Sequence, residues 1–391
     1  MRRLPGAAAF LVLLVLLALG LRHFGQGPSA GRGWRGDNGL LQGDTLRLKH
    51  ARNFRLVDFG DYKVLSTLRP WKDAERSYTM VLAASDTLVP EELQVHPFVR
   101  IPARRVVARS AAQLRALEAL GEIPSVVGIG DLREGSIDEV AVRVRRGLVR
   151  EVGGDAAFDE EIAYSLKPDV LFTWATGSET DVQDRLLDLK IPVALEAAWM
   201  EETPLGRAEW IRFYAAFFDK DSLASAFFSG VESDYLDLKT LAAGAANRPK
   251  VMSGAPWSGV WTTPGTRTWV AHLVEDAGGT NLWRDDTSAG STPRTFEAVY
   301  ARCADADVWI NGADAWNSLD DVRKEDPRFA LFKPVRQRTL WNSNASRTGS
   351  GVNTFWEETP LRPDLLLADL VHVLHPELLL DHQPRWYRRL P

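Results

Sequence analysis

Tryptophan is the residue type of this sequence that most suggests a ligand-binding surface. The chain of 391 residues contains 14 Trp against 7 Tyr. Several of these Trp residues lie where loops leave predicted strands or flank a Gly- and Pro-rich turn; they are Trp174, Trp199, Trp257, Trp261 and Trp269. Flat rings at such positions bury area against a flat or bulky ligand. Each Trp taken singly fits a structural position equally well, and the clustering near loops favours a site.

Arginine is the second residue type that suggests ligand binding. Arg109 and Ser110 directly follow a predicted strand, whereas Arg267 and Arg347 lie in the second half of the chain. Guanidinium groups donate to oxygen acceptors and pair with negative charge. We interpret the polar, Gly-containing segment 341–355 as a ligand-contacting loop or, alternatively, as a plain surface connection.

The sequence does not contain the residue sets that several other kinds of functional site require. The seven His are scattered, so the three or four convergent ligands of a bare zinc or manganese site are not indicated. There is no Gly-rich phosphate loop ending in Lys-Ser/Thr and no G-x-S-x-G elbow. Cys303 is the one cysteine, which excludes an intrachain disulfide and cannot supply the clustered thiolates of a metallocluster enzyme. We therefore expect no enzyme and no cofactor.

The composition and the net charge limit the classes of partner that we expect the protein to bind. The hydrophobic content of 45% supports well-filled cores in two domains. A net charge of −5 argues against a nucleic-acid partner, because no basic field attracts phosphates. We expect a monomer.

The N-terminus predicts export. Arg2 and Arg3 precede a nearly unbroken apolar run over residues 7–21. The run has signal-peptide length and is shorter than the roughly 20 residues that span a bilayer. A cleaved signal and a retained N-terminal anchor both remain open. Because no Cys follows the run, the sequence predicts an exported, periplasmic protein that is not a lipoprotein.

Strand and helix patterns alternate on both sides of one long helix. The predicted strands of the two halves lie at 105–108, 126–129, 170–174 and 193–195, and at 251, 308–310 and 339–341. The helices between them lie at 111–120, 159–166 and 181–189, and at 270–277, 296–303 and 365–374. Such alternation is typical of a parallel sheet covered on both faces. The long helix is predicted by apolar residues at steps of three and four: Phe227, Val231, Tyr235, Leu238 and Leu241.

The predicted fold class is α/β, with two Rossmann-like lobes containing parallel sheets, one long backbone helix joining them, and a small strand-rich N-terminal extension. The domain bounds that follow are 1–24 (signal peptide or N-terminal anchor), 25–43 (flexible linker), 44–100 (strand-rich extension), 101–204 (N-terminal α/β lobe), 205–248 (linking helical region) and 249–391 (C-terminal α/β lobe). A linking helix with a buried face bends little, so we expect the lobes to close by small shears.

Four segments resemble one protein family, the helical-backbone (TroA-like) solute-binding proteins for cobalamin and iron–siderophores. Their first lobe resembles residues 105–131 (RVVARSAAQLRALEALGEIPSVVGIGD) and 153–173 (GGDAAFDEEIAYSLKPDVLFT). Their second lobe resembles residues 275–282 (EDAGGTNL), and the terminal helix of iron-complex members resembles residues 360–377 (PLRPDLLLADLVHVLHPE). The four segments occur in family order over roughly residues 100–380. The resemblance implies a periplasmic binding protein that delivers its ligand to the permease subunits of an ABC importer.

The resemblance also implies two docking residues. The family docks its importer through one exposed Glu in each lobe, and Glu161 and Glu297 match these positions, with Glu160 as the neighbour that leaves the first uncertain by one. Trp174 matches the position of a cleft Trp in a cobalamin-binding relative. A carboxylate that meets guanidinium donors gives an orientation-specific contact.

The ligand implied is a bulky metal chelate held between the lobes. An iron–siderophore comes first, because the terminal helix and the extension resemble those of iron-complex members. Cobalamin or another corrinoid and haem are the alternatives, since one cleft of Trp and Arg suits all three. A tethered sensory domain that has lost transport is the alternative from another functional class.

Overall fold

The computed structural model describes residues 35–36, 39–40, 43–131, 137–154, 157–349 and 351–391. Residues 1–42 form one unit, in which β1 (Arg35–Gly36) pairs antiparallel with β2 (Gly39–Leu40). The predicted signal segment 1–24 lies outside the described residues. None of the helices in the described part of the chain combines the length and the hydropathy needed to span a membrane.

The second unit, residues 43–391, begins with the strand-rich extension. Its strands are β3 (Asp44–Thr45), β4 (Phe54–Asp58), β5 (Tyr62–Thr67), β6 (Tyr78–Ala83) and β7 (Phe98–Arg100). They lie side by side in chain order, antiparallel except for the parallel pair β6–β7. One apolar face of the sheet shares its core cluster with the lobe that follows, and the other face forms a small cluster of its own with Val89 and Leu93. The extension is therefore packed onto that lobe by hydrophobic burial.

The N-terminal lobe is a parallel sheet between helices. Its strands are β8 (Val106–Ala108), β9 (Val126–Ile129), β10 (Arg150–Glu151), β11 (Val170–Thr173) and β12 (Val193–Leu195). Its helices are α1 (Ala111–Ala119), α2 (Asp138–Arg145), α3 (Glu160–Ser165) and α4 (Gln183–Asp188). In the described residues the strand order is β10-β9-β8-β11-β12. The central strands are buried throughout, as a sheet covered on both faces requires.

The chain passes from one lobe to the other through three helices. They are α5 (Pro204–Ala208), α6 (Ile211–Ala215) and the long α7 (Asp221–Ala243). The predicted apolar stripe on α7 is correct at its centre, where Val231 and Tyr235 are buried, but wrong at its end, because Leu241 is exposed. Ala224 and Phe228 are buried on this face instead, since the neighbouring helices cover only part of the predicted stripe.

The C-terminal lobe repeats the parallel arrangement. Its main strands are β13 (Lys250–Ser253), β16 (Thr280–Asn281), β18 (Val308–Ile310), β19 (Leu340–Asn342) and β20 (Arg388–Arg389), in the described order β16-β13-β18-β19-β20. Its helices are α8 (Trp269–Asp276), α9 (Phe296–Cys303), α10 (Leu319–Glu325), α11 (Lys333–Gln337), α12 (Phe355–Glu358) and α13 (Pro363–Leu374). The edge strand β20 pairs antiparallel with β19. Two parallel-sheet lobes, a linking helix and a strand-rich extension confirm the predicted fold class.

A second small sheet in this lobe was not predicted. It consists of β14 (Pro256–Trp257), β15 (Val260–Pro264) and β17 (Ser291–Arg294), all antiparallel. Ser258 and Gly259 form a two-residue hairpin turn with φ values of 49° and 78°, and a glycine suits such a turn. The Gly- and Pro-rich composition resembled a plain turn because the strands are short and carry proline.

Buried carboxylates fasten the extension to the linking helices. Glu209, which is fully buried, accepts the backbone N–H groups of Lys49 at 3.0 Å and of His50 and Ala51 at 2.8 Å each. Glu201 accepts the N–H groups of the next two residues and the indole Nε1–H of Trp210 at 2.9 Å. We call residues 49–53 with these two carboxylates the carboxylate clamp. Because the donors are backbone groups, the clamp fixes the path of the chain itself.

Substitution of Glu209 by Gln is expected to lower the free energy of unfolding by about 2–4 kcal/mol, because an amide presents one acceptor oxygen without charge to three buried donors. Urea denaturation followed by circular dichroism measures the change. Glu161→Gln, at an exposed position, is the control, with an expected change within about 0.5 kcal/mol. Equal midpoints for the two variants would contradict a stabilising clamp.

Candidate functional site

The carboxyl ends of the strands in both lobes carry the polar and aromatic side chains of the candidate site. Arg109 follows β8, Trp174 follows β11 and Glu196 follows β12. In the other lobe, Asn311 follows β18 and Ser343 follows β19. Open α/β sheets bind ligands at this end of their strands.

Arg109 is held between two aromatic rings. Its guanidinium carbon lies 4.7 Å from the ring centroid of Phe158 and 5.1 Å from that of Trp174. Its Nη1 donates to Thr173 Oγ1 at 2.7 Å. Beside it is a cavity of about 80 Å³, lined by Arg109, Trp174, Thr176, Thr180 and Asp181. Drug-sized ligands occupy pockets of about 300 Å³ or more, so this cavity has room for a single substituent.

Ser110 is the N-cap residue of helix α1. Its hydroxyl accepts the backbone N–H of Gln113, and the Gln113 side chain accepts the backbone N–H of Ser110 at 3.1 Å. This reciprocal capping box begins α1. The hydroxyl that the sequence suggested for ligand binding is therefore engaged with the helix.

The predicted Trp residues of the second lobe separate into core and surface. Trp261 is 2% exposed and packs against Trp309, Phe329 and Phe332, with ring centroids 5.5–5.9 Å apart. Its position does not support the expected ligand contact, because the facing helices enclose its ring. Trp257, at the tip of the β14–β15 hairpin, is 84% exposed. Alternation along one hairpin thus sends one indole inward and leaves the other in solvent.

The remaining predicted ligand residues lie at loop positions. Trp199 is exposed in the turn after β12. Arg347 is engaged by its own loop and by the loop after β18, because it donates to Gly351 O and to Asp314 Oδ1 at 2.8 Å each. Both residues remain predictions as ligand contacts.

Among the described residues, two ion pairs join the lobes directly. Arg267 of the second lobe forms a bidentate pair with Glu202, with Nε–Oε2 at 3.0 Å and Nη2–Oε1 at 2.5 Å. Arg115 on α1 pairs with Glu358 on α12 at 3.0 Å. The partner of Arg267 in this structure is thus a carboxylate of the opposite lobe. We call the Arg267–Glu202 pair the lobe latch.

A set of residues that sequence reasoning missed lies where the lobes meet. The Arg207 guanidinium on α5 stacks on the ring of Trp269, 4.7 Å from its centroid, and Trp269 meets Trp356 edge-to-face at 6.2 Å. Trp356 is 58% exposed. Together these three residues form the site that we call the junction site. Trp269 stands out in the sequence by its loop position, whereas Arg207, twelve residues after the predicted strand 193–195, carries no comparable sequence signal.

Burial perturbs the charged groups around the junction site. Burial raises the pKa of Glu196 to about 7, opposed by a hydrogen bond from the Ala198 N–H and by the charge of Arg207. Burial also lowers the pKa of Arg207 to about 10, partly offset by the charge of Glu196. Shifted pKa values of this kind concentrate at functional sites.

The two predicted docking residues are both exposed. Glu161 has no ion-pair partner in the described part of the chain, whereas Glu160 pairs with Arg185 at 2.6 Å. The Glu297 side chain is 77% exposed, and its nearest cation, Arg328 at 3.7 Å, is already held by Asp326 at 2.7 Å. The described residues contain no group of three His, Cys, Asp or Glu side chains arranged to hold a metal ion.

Curated relatives carry the word lipoprotein in their names. The chain is 24% identical over 369 residues to an uncharacterized lipoprotein of Methanocaldococcus jannaschii, covering 88% of this chain and 85% of that protein. A second uncharacterized lipoprotein of the same organism is 27% identical over 242 residues, 59% of each chain. The prediction that the protein is not a lipoprotein is therefore wrong. It rested on the lack of a Cys after the apolar run, a segment outside the described residues.

Solved structures of solute-binding proteins share the fold. An ABC transporter substrate-binding protein from Listeria monocytogenes is 18% identical, with a TM-score of 0.53 over 70% of this chain and 99% of that one. The vitamin B12-binding protein of Vibrio cholerae is 16% identical, with a TM-score of 0.50 over 72% and 99%. Helicobacter pylori CeuE with bound Ni(II) is 17% identical, with a TM-score of 0.55 over 73% and 88%.

The family model described as periplasmic binding protein matches residues 106–340, from the start of β8 in one lobe to the start of β19 in the other. More than half of the chain lies within this match, and the two lobes with their linking helix agree with it. The chain belongs to the periplasmic binding protein family.

Proposed function

We propose that this protein is the solute-binding component of an ABC importer, which captures a bulky metal chelate between its lobes and delivers it to the permease. The observation that carries the proposal is the junction site. It brings together a cation and two indoles from three separate elements where the lobes meet. A pocket of flat apolar surface with a few fixed polar groups is the usual form of a small-molecule site.

An iron–siderophore is the first choice of ligand. The terminal helix and the strand-rich extension, both of which resemble those of iron-complex members, support it. Cobalamin or another corrinoid is the alternative, supported by the position of Trp174 beside Arg109, and haem suits the same chemistry. The protein binds its ligand without transforming it, as the substrate-binding proteins that share the fold are named to do.

The linking region determines how capture occurs. Helix α7 is continuous over 23 residues and contacts the extension through His50 and the C-terminal lobe through Asp276, so it resists bending. Ligand capture then proceeds by small relative movements that make and break the lobe latch. The protein works on the outer side of the membrane and is held at the membrane surface, in keeping with the names of the archaeal relatives.

Titration with chelates tests the function. Ferric enterobactin, ferrichrome, haemin and cyanocobalamin are added in turn while intrinsic Trp fluorescence is recorded, with N-acetyltryptophanamide as the control for light absorption by the chelate. We expect saturable quenching at micromolar concentration by at least one of them, because Trp269 and Trp356 line the junction site, and a smaller signal in Trp269→Phe. No quenching by any of the four at this concentration would refute chelate capture.

Docking is tested by neutralising the two exposed carboxylates. Glu161→Gln with Glu297→Gln is expected to lower uptake of the bound chelate roughly tenfold or more while affinity in solution stays unchanged, because each carboxylate would lose a charge-assisted contact. The matched control is Glu160→Gln, whose carboxylate already pairs with Arg185. Unchanged uptake in the double variant would contradict docking through these residues and would favour the sensory-domain alternative.

The lobe latch is tested through the rate of ligand release. Glu202→Gln or Arg267→Gln is expected to raise the dissociation rate about 2- to 5-fold, since exposed pairs contribute modestly. Stopped-flow fluorescence measures the rate, and the effect should shrink at high salt. The control Asp320→Asn removes the partner of an ion pair that lies within α10. A latch variant that releases its ligand at the wild-type rate would show that the pair does not hold the lobes together.

A further inference from the structure

Arg207 is a half-buried cation that makes no side-chain hydrogen bond or ion pair within the described part of the chain. Its Nε atom is enclosed and has no acceptor within hydrogen-bonding distance in the described part of the chain. The contact that the guanidinium does make is with the face of the Trp269 ring. Glu196 influences it through charge alone, without a hydrogen bond.

Other partly buried arginines of the protein have such partners. Arg294, which also stacks on an indole, pairs with Asp286 at 2.7 Å. Arg362 pairs with Asp364 at 2.6 Å. Burying a guanidinium costs free energy that a paired carboxylate or hydrogen bonds normally offset. The enclosed Nε–H of Arg207 lacks this compensation, so its position is explained if the missing acceptor arrives with a ligand.

The surroundings determine which ligand group fits. Stacking on Trp269 fixes the plane of the guanidinium and leaves its N–H edges as the available donors. A planar fork of donors matches a pair of anionic oxygens, as in a carboxylate or a catecholate. The exposed ring of Trp356 next to Trp269 offers flat apolar surface to the body of the same ligand.

We propose that Arg207 is the specificity-determining residue of the junction site, and that it selects chelates bearing an anionic oxygen group over uncharged chelates of similar size. The inference rests on the proposed function, because it assumes that a chelate enters between the lobes. It reduces the choice among ligands to the anionic class, which includes catecholate and carboxylate siderophores and haem with its propionates.

The test compares charged and uncharged probes on the full chain. Dissociation constants are measured by Trp quenching for ferric enterobactin, an anionic tris-catecholate, and for ferrichrome, an uncharged hydroxamate chelate. Wild-type protein should bind the anionic probe at least tenfold more tightly. Arg207→Gln should remove most of that preference by weakening the anionic probe at least tenfold, and it should change the uncharged probe less than threefold.

Two further variants separate charge from geometry and from lobe closure. Arg207→Lys keeps the charge but loses the planar fork, so it should recover part of the preference and remain informative if Arg207→Gln folds poorly. Arg267→Gln, which opens the lobe latch, should change both probes by the same factor. Thermal unfolding by circular dichroism verifies that each variant is folded.

The outcomes distinguish the two proposals. Wild-type protein that binds neither these probes nor haemin or cyanocobalamin overturns the proposed function. Wild-type protein that binds chelates but favours the uncharged probe, or an Arg207→Gln variant that keeps the anionic preference, overturns the role of Arg207 and leaves chelate capture standing.

Discussion

The burial of one face of α7 is the constraint on which the rest of the structure depends. A helix of 23 residues is about 34 Å long, enough to contact the extension and both lobes. At its N-terminal half, Phe228 packs under Arg212, and Glu232 binds His50 at 2.8 Å. At its C-terminal half, Tyr235 donates to Asp276 at 2.7 Å, and Lys239 pairs with the same carboxylate at 2.8 Å.

Helix α7 and the carboxylate clamp make the extension part of the same packed unit as the lobes. The carboxylate clamp attaches residues 49–53 to the short helices that precede α7, and the extension sheet shares its apolar face with the first lobe. Backbone donors bound by buried carboxylates leave little freedom, since each lost bond would strand a buried polar group. We therefore expect any relative movement during ligand capture to occur between the lobes and not between the extension and the first lobe.

The division of the tryptophans between core and surface follows from the same architecture. In the second lobe, a cluster that includes Trp261 and Trp309 fills the space between the sheet and its helices, and such burial is the dominant stabilising contribution of aromatic rings. Trp269 and Trp356 lie outside that cluster, and Trp269 lies next to Arg207 of the linking helix α5. Trp269 is half-buried against the main core cluster and Trp356 is exposed, which gives the junction site its aromatic surface.

The sequence by itself determined the order and type of most elements, because apolar periodicity and helix-end signals depend on local spacing. β12, α9 and β18 have the predicted bounds, and the family resemblance identified the two-lobed class. Local sequence patterns could not show which residues contact each other in the folded chain. They did not distinguish Trp261 in the core from Trp257 in solvent, since both flank one short hairpin.

Only the tertiary structure decided which charges meet. Arg267 pairs with Glu202, 65 residues away, and Arg207 has no polar side-chain partner among the described residues and lies beside Trp269. The physical reason is that charge pairing depends on distances between atoms brought together by the packing of α5, α7 and the two sheets. The spacing of residues along the chain does not specify those distances.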